Sequence, residues 1–357
     1  MQPIPQRTLA TSQNFLRSRA LVDRLLAASS IQAGELVLDL GAGTGLIAER
    51  LAQRGCRVIA VEQDPVLLAR LHHRFEGVPA VRVWPSDILA MRLPRQPYKV
   101  FANIPFNATA AIISRLVRAA CPPEDAYLMV QREAAERFVG RPRATLVAVL
   151  LMPWFEATIA HRFRRTDFLP TPRVDVVMLR LHKRGPPLVA PEHSRLFRDF
   201  VVQVFTTRET TLARGLARLT GTRGARRLTT GLGLDPSVTP ASLGTGQWLE
   251  LFAAFANGAG IDARRLLAGA ERRWRTQQRR LPKVHRTRTP GRNWSAGRVT
   301  RPRRPGSLSA CRPPPGAVLR RGTASPDPTR VSHARMRKMC REQDGRVEKK
   351  RRACTRG

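Results

Sequence analysis

The sequence predicts an α/β fold built on a seven-stranded, mainly parallel sheet, followed by a small helical domain and a disordered basic tail. Three observations predict it. Short apolar runs of strand length end, one after another, in glycine or polar residues. A later segment carries apolar residues at helical spacing, and the last hundred residues combine many arginines with prolines and show no apolar period. We place the boundaries at 1–184, 185–257 and 258–357.

The charge of the chain is strongly unbalanced. Its 357 residues carry a formal net charge of +37, almost all of it from arginine, because the chain has only six lysines. Such an imbalance predicts binding to a polyanion, and nucleic acid comes before an acidic membrane surface. Codon bias in a GC-rich genome also raises arginine together with Ala, Pro and Gly, and both causes can act here.

Cysteine usage and hydropathy limit the class of protein. The five cysteines form no CxxC pair, which indicates a reducing compartment and no structural metal. The first residues lack the apolar core of a signal peptide. The longest apolar run, residues 146–152, is far shorter than the ~20 residues of a membrane helix. We therefore expect a soluble cytoplasmic protein that has no membrane contact. We also expect it to be a monomer.

The first strand and its glycine turn resemble a nucleotide-binding unit. After a helix predicted within residues 8–33, which Ser12 or Asn14 could cap, the buried-strand pattern 35–40 opens into Gly41-Ala42-Gly43-Thr44-Gly45 and a second helix. Leu46 stands where the dinucleotide fingerprint needs its third glycine. The shorter spacing suits an amino-acid nucleoside such as S-adenosylmethionine better than NAD, although an ordinary turn is the alternative.

The next two strands also end in acidic residues. The strand 57–61 ends in Glu62, twenty-one positions after Gly41. A carboxylate at that distance can accept hydrogen bonds from both ribose hydroxyls, and the alternative is a solvated strand end. The strand 80–84 leads to Asp87, which can accept from an adenine amino group or cap the following turn.

The fourth strand, 99–102, runs into the segment Asn103-Ile104-Pro105-Phe106, which we call the Asn–Phe shelf. The Asn103 side-chain oxygen and the Ile104 carbonyl can accept from an exocyclic amino group, and Phe106 can stack on a flat base. Pro105 stiffens the turn between them. A plain strand-to-loop turn with a core phenylalanine is the alternative. Four consecutive strand ends at one sheet edge nevertheless predict a ligand site.

The rest of the chain completes the sheet and adds basic helices. Strands are predicted at 126–130, 155–163 and 174–181, a helix at 133–139 and a proline-stiffened loop at 164–173. The helical segment 191–256 has an arginine-rich face, which can contact RNA or simply face solvent. Residues 258–357 hold 29 Lys+Arg against six Asp+Glu, and we expect this tail to add salt-sensitive RNA affinity unless it is read-through of a gene end.

A family resemblance covers residues 8–257. Its motifs are, in order, Gln13-Asn14-Phe15-Leu16, the glycine turn, Glu62, Asp87, the Asn–Phe shelf and Pro170-Thr171-Pro172-Arg173-Val174-Asp175. In these the chain resembles the rRNA adenine N6-methyltransferases, which comprise the Erm-type methylases of macrolide–lincosamide–streptogramin B resistance and the dimethyladenosine transferases of small-subunit rRNA. Phe106 and the segment Met152-Pro153-Trp154-Phe155-Glu156 favour the Erm branch. Thr44 in the glycine turn is a departure, because Erm proteins often carry Lys or another residue at that position.

The resemblance implies a Rossmann-like class I S-adenosylmethionine-dependent methyltransferase that acts on adenine in 23S rRNA, free or in pre-ribosomal particles. The implied catalytic residues are Asn103, Ile104, Pro105 and Phe106. The implied cofactor-binding residues are Asn14, Leu16, Gly41, Glu62, Asp87 and Asn103, and no metal is implied. The alternatives are a small-subunit rRNA dimethyltransferase, a DNA adenine methylase, which usually carries a second proline in the shelf motif, and a non-catalytic RNA-binding protein.

Overall fold

The computed structural model describes residues 14–207, 209, 211–258 and 260–280. Its strands form one sheet of two strands and one of seven. In chain order the strands are β1 (Phe15–Leu16), β2 (Leu36–Leu40), β3 (Arg57–Glu62), β4 (Val81–Pro85), β5 (Lys99–Asn103), β6 (Asp125–Gln131), β7 (Phe155–Arg162), β8 (Phe168–Leu169) and β9 (Val176–Lys183). All seven strands expected from the sequence are found, each within two residues of its predicted bounds.

The helices surround this sheet and continue after it. In chain order they are α1 (Arg19–Ala27), α2 (Leu46–Gln53), α3 (Pro65–Arg74), α4 (Thr109–Val117), α5 (Arg132–Val139), α6 (Leu146–Leu151), α7 (Ser194–Thr206), α8 (Leu212–Gly231), α9 (Thr245–Gly258), α10 (Ile261–Leu267) and α11 (Ala270–Arg280). Helix α8 is interrupted at Gly221, which has a φ of 70°. None of the helices in the described ranges is long and apolar enough to cross a bilayer.

The strand order of the large sheet is β4-β3-β2-β5-β6-β9-β7. Strands β2 to β6 run parallel, whereas β9 is antiparallel to both β6 and β7. The chain therefore winds outward from β2 in one direction and from β5 in the other. Sheets of this kind bind ligands at the carboxyl ends of the strands where the order reverses, and here those ends belong to β2 and β5.

Each face of the large sheet is covered by its own set of helices. Buried residues of α1, α2 and α3 share one core with that face, and those of α4 and α5 belong to a second core on the other face. All five residues of β2 are buried, as expected for a central parallel strand covered on both faces. The carboxyl ends of β2 and β5 are therefore held in place by helices packed on both faces of the sheet.

The predicted helical part is also found, and it has a third core of its own. Phe197, Phe200 and Val201 on α7 pack against Trp248 and Phe255 on α9. The rings of Phe200 and Phe255 stack with their centroids 4.6 Å apart. Apolar residues at spacings of three and four therefore identify the buried side of α7 correctly.

The expectation of a disordered tail beginning at 258 is wrong for its first residues, because α10 and α11 lie there. Ala263 and Leu267 are buried in the helical core. The buried Asp199 on α7 accepts hydrogen bonds from the backbone N–H groups of Gly269 (3.0 Å) and Glu271 (2.8 Å) at the start of α11. Composition alone does not reveal this long-range cap. Residues 281–357 lie outside the described residues.

The N-terminal segment also differs from the expectation. Helix α1 is capped by Ser18, whose hydroxyl accepts from the N–H of Leu21 (3.2 Å), so Asn14 is not its cap, and Ser12 lies outside the described residues. Strand β1 pairs instead with β8, inside the stretch predicted as a loop. A two-residue strand is too short to show a recognisable period, so this pairing could not be predicted from the residues alone.

Candidate active site

The glycine turn after β2 brings bare backbone to the reversal point of the sheet. Gly41 and Gly43 have φ values of 75° and 56°, in the left-handed region that favours glycine. A Cβ on Gly43 would lie closer than 3.0 Å to two ring carbons of Phe15. The spacing of the glycines therefore reflects both the turn and the close packing of β1 on it.

Glu62 at the end of β3 is buried, with 2% of its surface exposed, so it is not a solvated strand end. One carboxylate oxygen accepts the N–H of Gly43 at 3.0 Å. The other accepts the N–H groups of Gln63 (2.8 Å) and Asp64 (3.0 Å). Glu62 thus fixes the glycine turn, and the oxygen facing Gly43 keeps a second lone pair available as an acceptor.

Asp87 follows β4 and is exposed. One of its carboxylate oxygens accepts the N–H of Leu89 at 2.8 Å, so the turn-capping role is present in the structure. The neighbouring Ile88 approaches the glycine turn, since its Cδ1 lies 3.7 Å from the position of a Cβ on Gly41. Asp87 therefore directly precedes a residue that packs at the turn, and its second carboxylate oxygen is available.

The Asn–Phe shelf is oriented by the N-terminal segment. The side-chain nitrogen of Asn103 donates to the backbone carbonyl of Asn14. Because a carbonyl can only accept, the amide nitrogen must face Asn14, and the side-chain oxygen of Asn103 is left as an acceptor. Phe106 starts a short 3₁₀ turn, and its carbonyl accepts from the Thr109 hydroxyl at 3.0 Å.

One cleft unites most of the predicted site. Its lining residues are Asn14, Phe15, Gly41, Asn103, Ile104, Pro105 and Phe106. Asn103 and Phe106 are partly exposed, so they are not sealed inside packed protein. Ile104 also lines the cleft, and only 2% of its surface is exposed.

Three predicted cofactor residues do not line this cleft. The side chain of Leu16 is buried in the core around α1 and α2, so only its backbone can face a ligand. Glu62 is linked to the cleft through the glycine turn. Asp87 is linked to it through Ile88, which packs beside Gly41.

Sequence reasoning missed one residue that lines the cleft and one buried carboxyl in the strand that leads to it. Phe15 is the ring that rests on Gly43. Asp39 lies inside β2 with 1% of its surface exposed. Burial, with a smaller contribution from the charge of Glu62, raises the pKa of Asp39 to about 8. An aspartate in the middle of the apolar run 36–40 was the signal that could have identified it.

Known relatives share both the sequence and the fold. The chain is 33% identical over 250 residues to an rRNA methyltransferase of Streptomyces thermotolerans, covering 69% of this chain and 83% of that protein. It is 31% identical to the mycinamicin-resistance protein MyrB of Micromonospora griseorubida, covering 67% and 76%. It is 32% identical to the ribosomal RNA small subunit methyltransferase A of Geobacter sulfurreducens, covering 63% and 87%.

Among solved structures, the 23S rRNA methyltransferase ErmE is similar, with a TM-score of 0.63 and 28% identity. The match covers 68% of this chain and all of ErmE. Residues 7–257 match the family described as ribosomal RNA adenine dimethylase. This match confirms the methyltransferase fold and the enzymatic class that the motifs predict. The chain therefore belongs to the ribosomal RNA adenine dimethylase family.

Proposed function

We propose that this enzyme transfers methyl groups from S-adenosylmethionine to N6 of an adenine in 23S rRNA, in two successive transfers, and thereby confers resistance to macrolide, lincosamide and streptogramin B antibiotics. The observation that carries the proposal is the orientation of Asn103. Its amide nitrogen is held by the Asn14 carbonyl, so its oxygen is offered as an acceptor in the cleft that Phe106 also lines.

The residues around the glycine turn fit S-adenosylmethionine. Gly41 presents backbone without a side chain, and Glu62 has an acceptor position free for a ribose hydroxyl. Asp87 retains one carboxylate oxygen for the adenine amino group, while Asn14 and Leu16 offer backbone groups. When bound, S-adenosylmethionine supplies an electrophilic methyl group on a sulfonium sulfur.

The shelf holds the target amino group. The lone pair of an adenine amino nitrogen is delocalised into the ring, so reaction requires the nitrogen to become more tetrahedral. The Asn103 oxygen and the Ile104 carbonyl accept its two N–H groups in that geometry. The product proton is acidic enough to leave to water, so no side chain is assigned as a general base. Catalysis then depends on orientation.

Phe106 offsets the cost of extracting the base from its stack. Base flipping costs a few kcal/mol, and stacking on an aromatic ring returns ~1–3 kcal/mol per base. The cost is lowest for a base in an RNA loop, which favours a loop of rRNA over duplex DNA. We place the reaction in the cytoplasm, on free 23S rRNA or pre-ribosomal particles, with the enzyme acting as a monomer.

Two observations support 23S rRNA as the substrate. Phe106 and the segment around Trp154 resemble the Erm branch, and the similarity to ErmE extends over the whole of that protein. The test is transfer of a labelled methyl group from S-adenosylmethionine to purified 23S and 16S rRNA. Label in 23S rRNA alone is expected, with none for an Asn103→Ala variant.

A second candidate function is dimethylation of small-subunit rRNA. The 32% identity to the Geobacter sulfurreducens enzyme is close to the identities with the Streptomyces and Micromonospora proteins. Label in 16S rRNA alone would establish this second function and overturn the first. If S-adenosylmethionine fails to bind in a calorimetric titration, both are wrong and a non-catalytic RNA-binding role remains.

A further inference from the structure

A groove of about 720 Å³ runs beside helix α4, between the segment that follows β4 and helix α11. Five of its lining residues are arginines: Arg92, Arg95, Arg115, Arg118 and Arg275. None of the described residues that line it is acidic. Arg92 and Arg95 are exposed, so their guanidinium groups are open to a ligand in solution.

One carboxylate next to the groove neutralises only part of this charge. Glu271 on α11 is 2.8 Å from Nη1 of Arg118 and 3.1 Å from Nε of Arg275. A further arginine, Arg198, lies in the same cluster. Its burial, together with repulsion from Arg118, lowers its pKa, and the attraction of Glu271 opposes this only in part. Three arginines thus share one carboxylate, so the cluster keeps an excess of positive charge.

Helix α11 is attached firmly enough to form one wall of the groove. Asp199 caps its first turn through two backbone N–H groups, and the pair Arg118–Glu271 joins it to the end of α4. Helix α11 lies beyond residue 257, where the match to the family ends. This wall therefore lies outside the stretch of the chain that matches the family.

The groove starts next to the candidate active site. Its residue Leu89 follows Ile88, which packs beside Gly41. Helix α4 starts at Thr109, which is hydrogen-bonded to the Phe106 carbonyl. The helix is about 14 Å long at 1.5 Å per residue, a length that corresponds to about four phosphates at ~3.4 Å per stacked nucleotide.

We propose that this arginine groove binds the phosphate backbone of the substrate RNA beside the flipped adenine. Guanidinium groups match phosphate oxygens in paired hydrogen bonds. Contacts of this kind fix position and add affinity without reading sequence. The proposal rests on the proposed function only in taking rRNA as the polyanion, and RNA binding can be measured whether or not methyl transfer occurs.

The test compares two double variants of the full-length protein in binding to a 23S rRNA transcript. Arg92→Gln/Arg95→Gln removes two charges from the groove. The control, Arg24→Gln/Arg70→Gln, removes two exposed charges from α1 and α3, on the opposite face of the sheet. The groove variant is expected to bind roughly tenfold more weakly at 0.2 M salt, with the slope of log K against log salt reduced by about 2. The control should change less than twofold.

Cys121 offers an independent readout, because it lines the groove and is partly exposed. Saturating RNA should slow alkylation of Cys121 by N-ethylmaleimide, measured by peptide mass spectrometry. Equal losses of affinity in both double variants, an unchanged salt slope in the groove variant, or unprotected Cys121 in the RNA complex would each overturn the proposal. Selective loss of binding to phosphatidylglycerol vesicles, with RNA binding kept, would assign the groove to a membrane and also overturn it.

Discussion

The side-chain nitrogen of Asn103 donates a hydrogen bond to the backbone carbonyl of Asn14, a residue 89 positions earlier in the chain. This bond joins the end of β5 to the segment that enters β1. It also determines which end of the amide faces the cleft, since the donor is used by Asn14. The acceptor on which our account of catalysis depends is therefore fixed by the fold before any ligand binds.

Replacing Asn103 tests the role of this acceptor. Asn103→Ala should lower the rate of methyl transfer by at least about 100-fold, because the amino group loses one of the two acceptors that orient it. S-adenosylmethionine affinity, measured by calorimetry, should fall only modestly. The exposed neighbour Asn107 provides the control, and Asn107→Ala should keep its rate. An unchanged rate of methyl transfer in Asn103→Ala would rule out a catalytic role for the Asn–Phe shelf.

Phe106 is expected to act as a stacking surface. Phe106→Ala should raise the KM for RNA and slow transfer, with a combined loss in kcat/KM of about 5- to 150-fold, the equivalent of ~1–3 kcal/mol of stacking. Phe106→Tyr should restore most of this loss because it keeps the ring. Steady-state kinetics with an rRNA transcript measure both. Unchanged kinetics in Phe106→Ala would show that the ring only packs against the core.

The glycine turn should tolerate no side chain where Phe15 rests on it. Gly43→Ala places a Cβ against that ring at a φ of 56°, and overpacking of this kind typically costs ~1–3 kcal/mol beyond the backbone strain. Gly77→Ala is a matched control, with a φ of 71° and nothing within 4 Å of its Cβ, and should cost only about 1–2 kcal/mol.

Urea unfolding and S-adenosylmethionine titration separate these two variants. Gly43→Ala should be the less stable of the two and should also bind the cofactor more weakly. Equal unfolding free energies and equal S-adenosylmethionine affinities in the two variants would mean that the packing of Phe15 does not require glycine at position 43.

Asp39 should make the stability of the protein fall as pH rises. Burial raises its pKa from 3.8 to about 8, so between about pH 4 and pH 8 the folded protein holds a proton that the unfolded chain has released. Stability due to this group is therefore highest below pH 4 and is lost progressively up to about pH 8. Asp39→Asn has no titrating carboxyl at this position, so its stability lacks this pH-dependent contribution.

The difference between the two proteins isolates this effect from other titrating groups. The unfolding free energy of wild type minus that of Asp39→Asn should decrease steadily from pH 4 to pH 8 and then level off. A difference that stays constant over this range would mean that the folded Asp39 titrates like an exposed carboxyl.

Local patterns predicted most of the sheet, because central parallel strands are continuous apolar runs and each is followed by a conspicuous turn. The run 36–40 before Gly41 and the run 99–102 before Asn103 are clear examples. The same patterns could not predict what depends on distant partners. The pairing of β1 with β8, the position of Phe15 over Gly43 and the cap that Asp199 gives to α11 all join residues far apart in sequence.

The same distinction between local sequence patterns and long-range packing applies to the candidate active site. The positions of Gly41, Asn103 and Phe106 in one cleft follow from strand ends at the reversal point of the sheet. The buried carboxyl of Asp39 and the inward-facing carboxylate of Glu62 required the three-dimensional packing, because solvent exposure of a strand end cannot be deduced from its own residues.

Primer extension on rRNA from cells expressing the chain tests the central claim most directly. A stop at a single adenine of 23S rRNA is predicted with the wild-type chain and not with Asn103→Ala produced at the same level. Full-length extension on 23S rRNA with both proteins, or the same stop with both, would contradict the account.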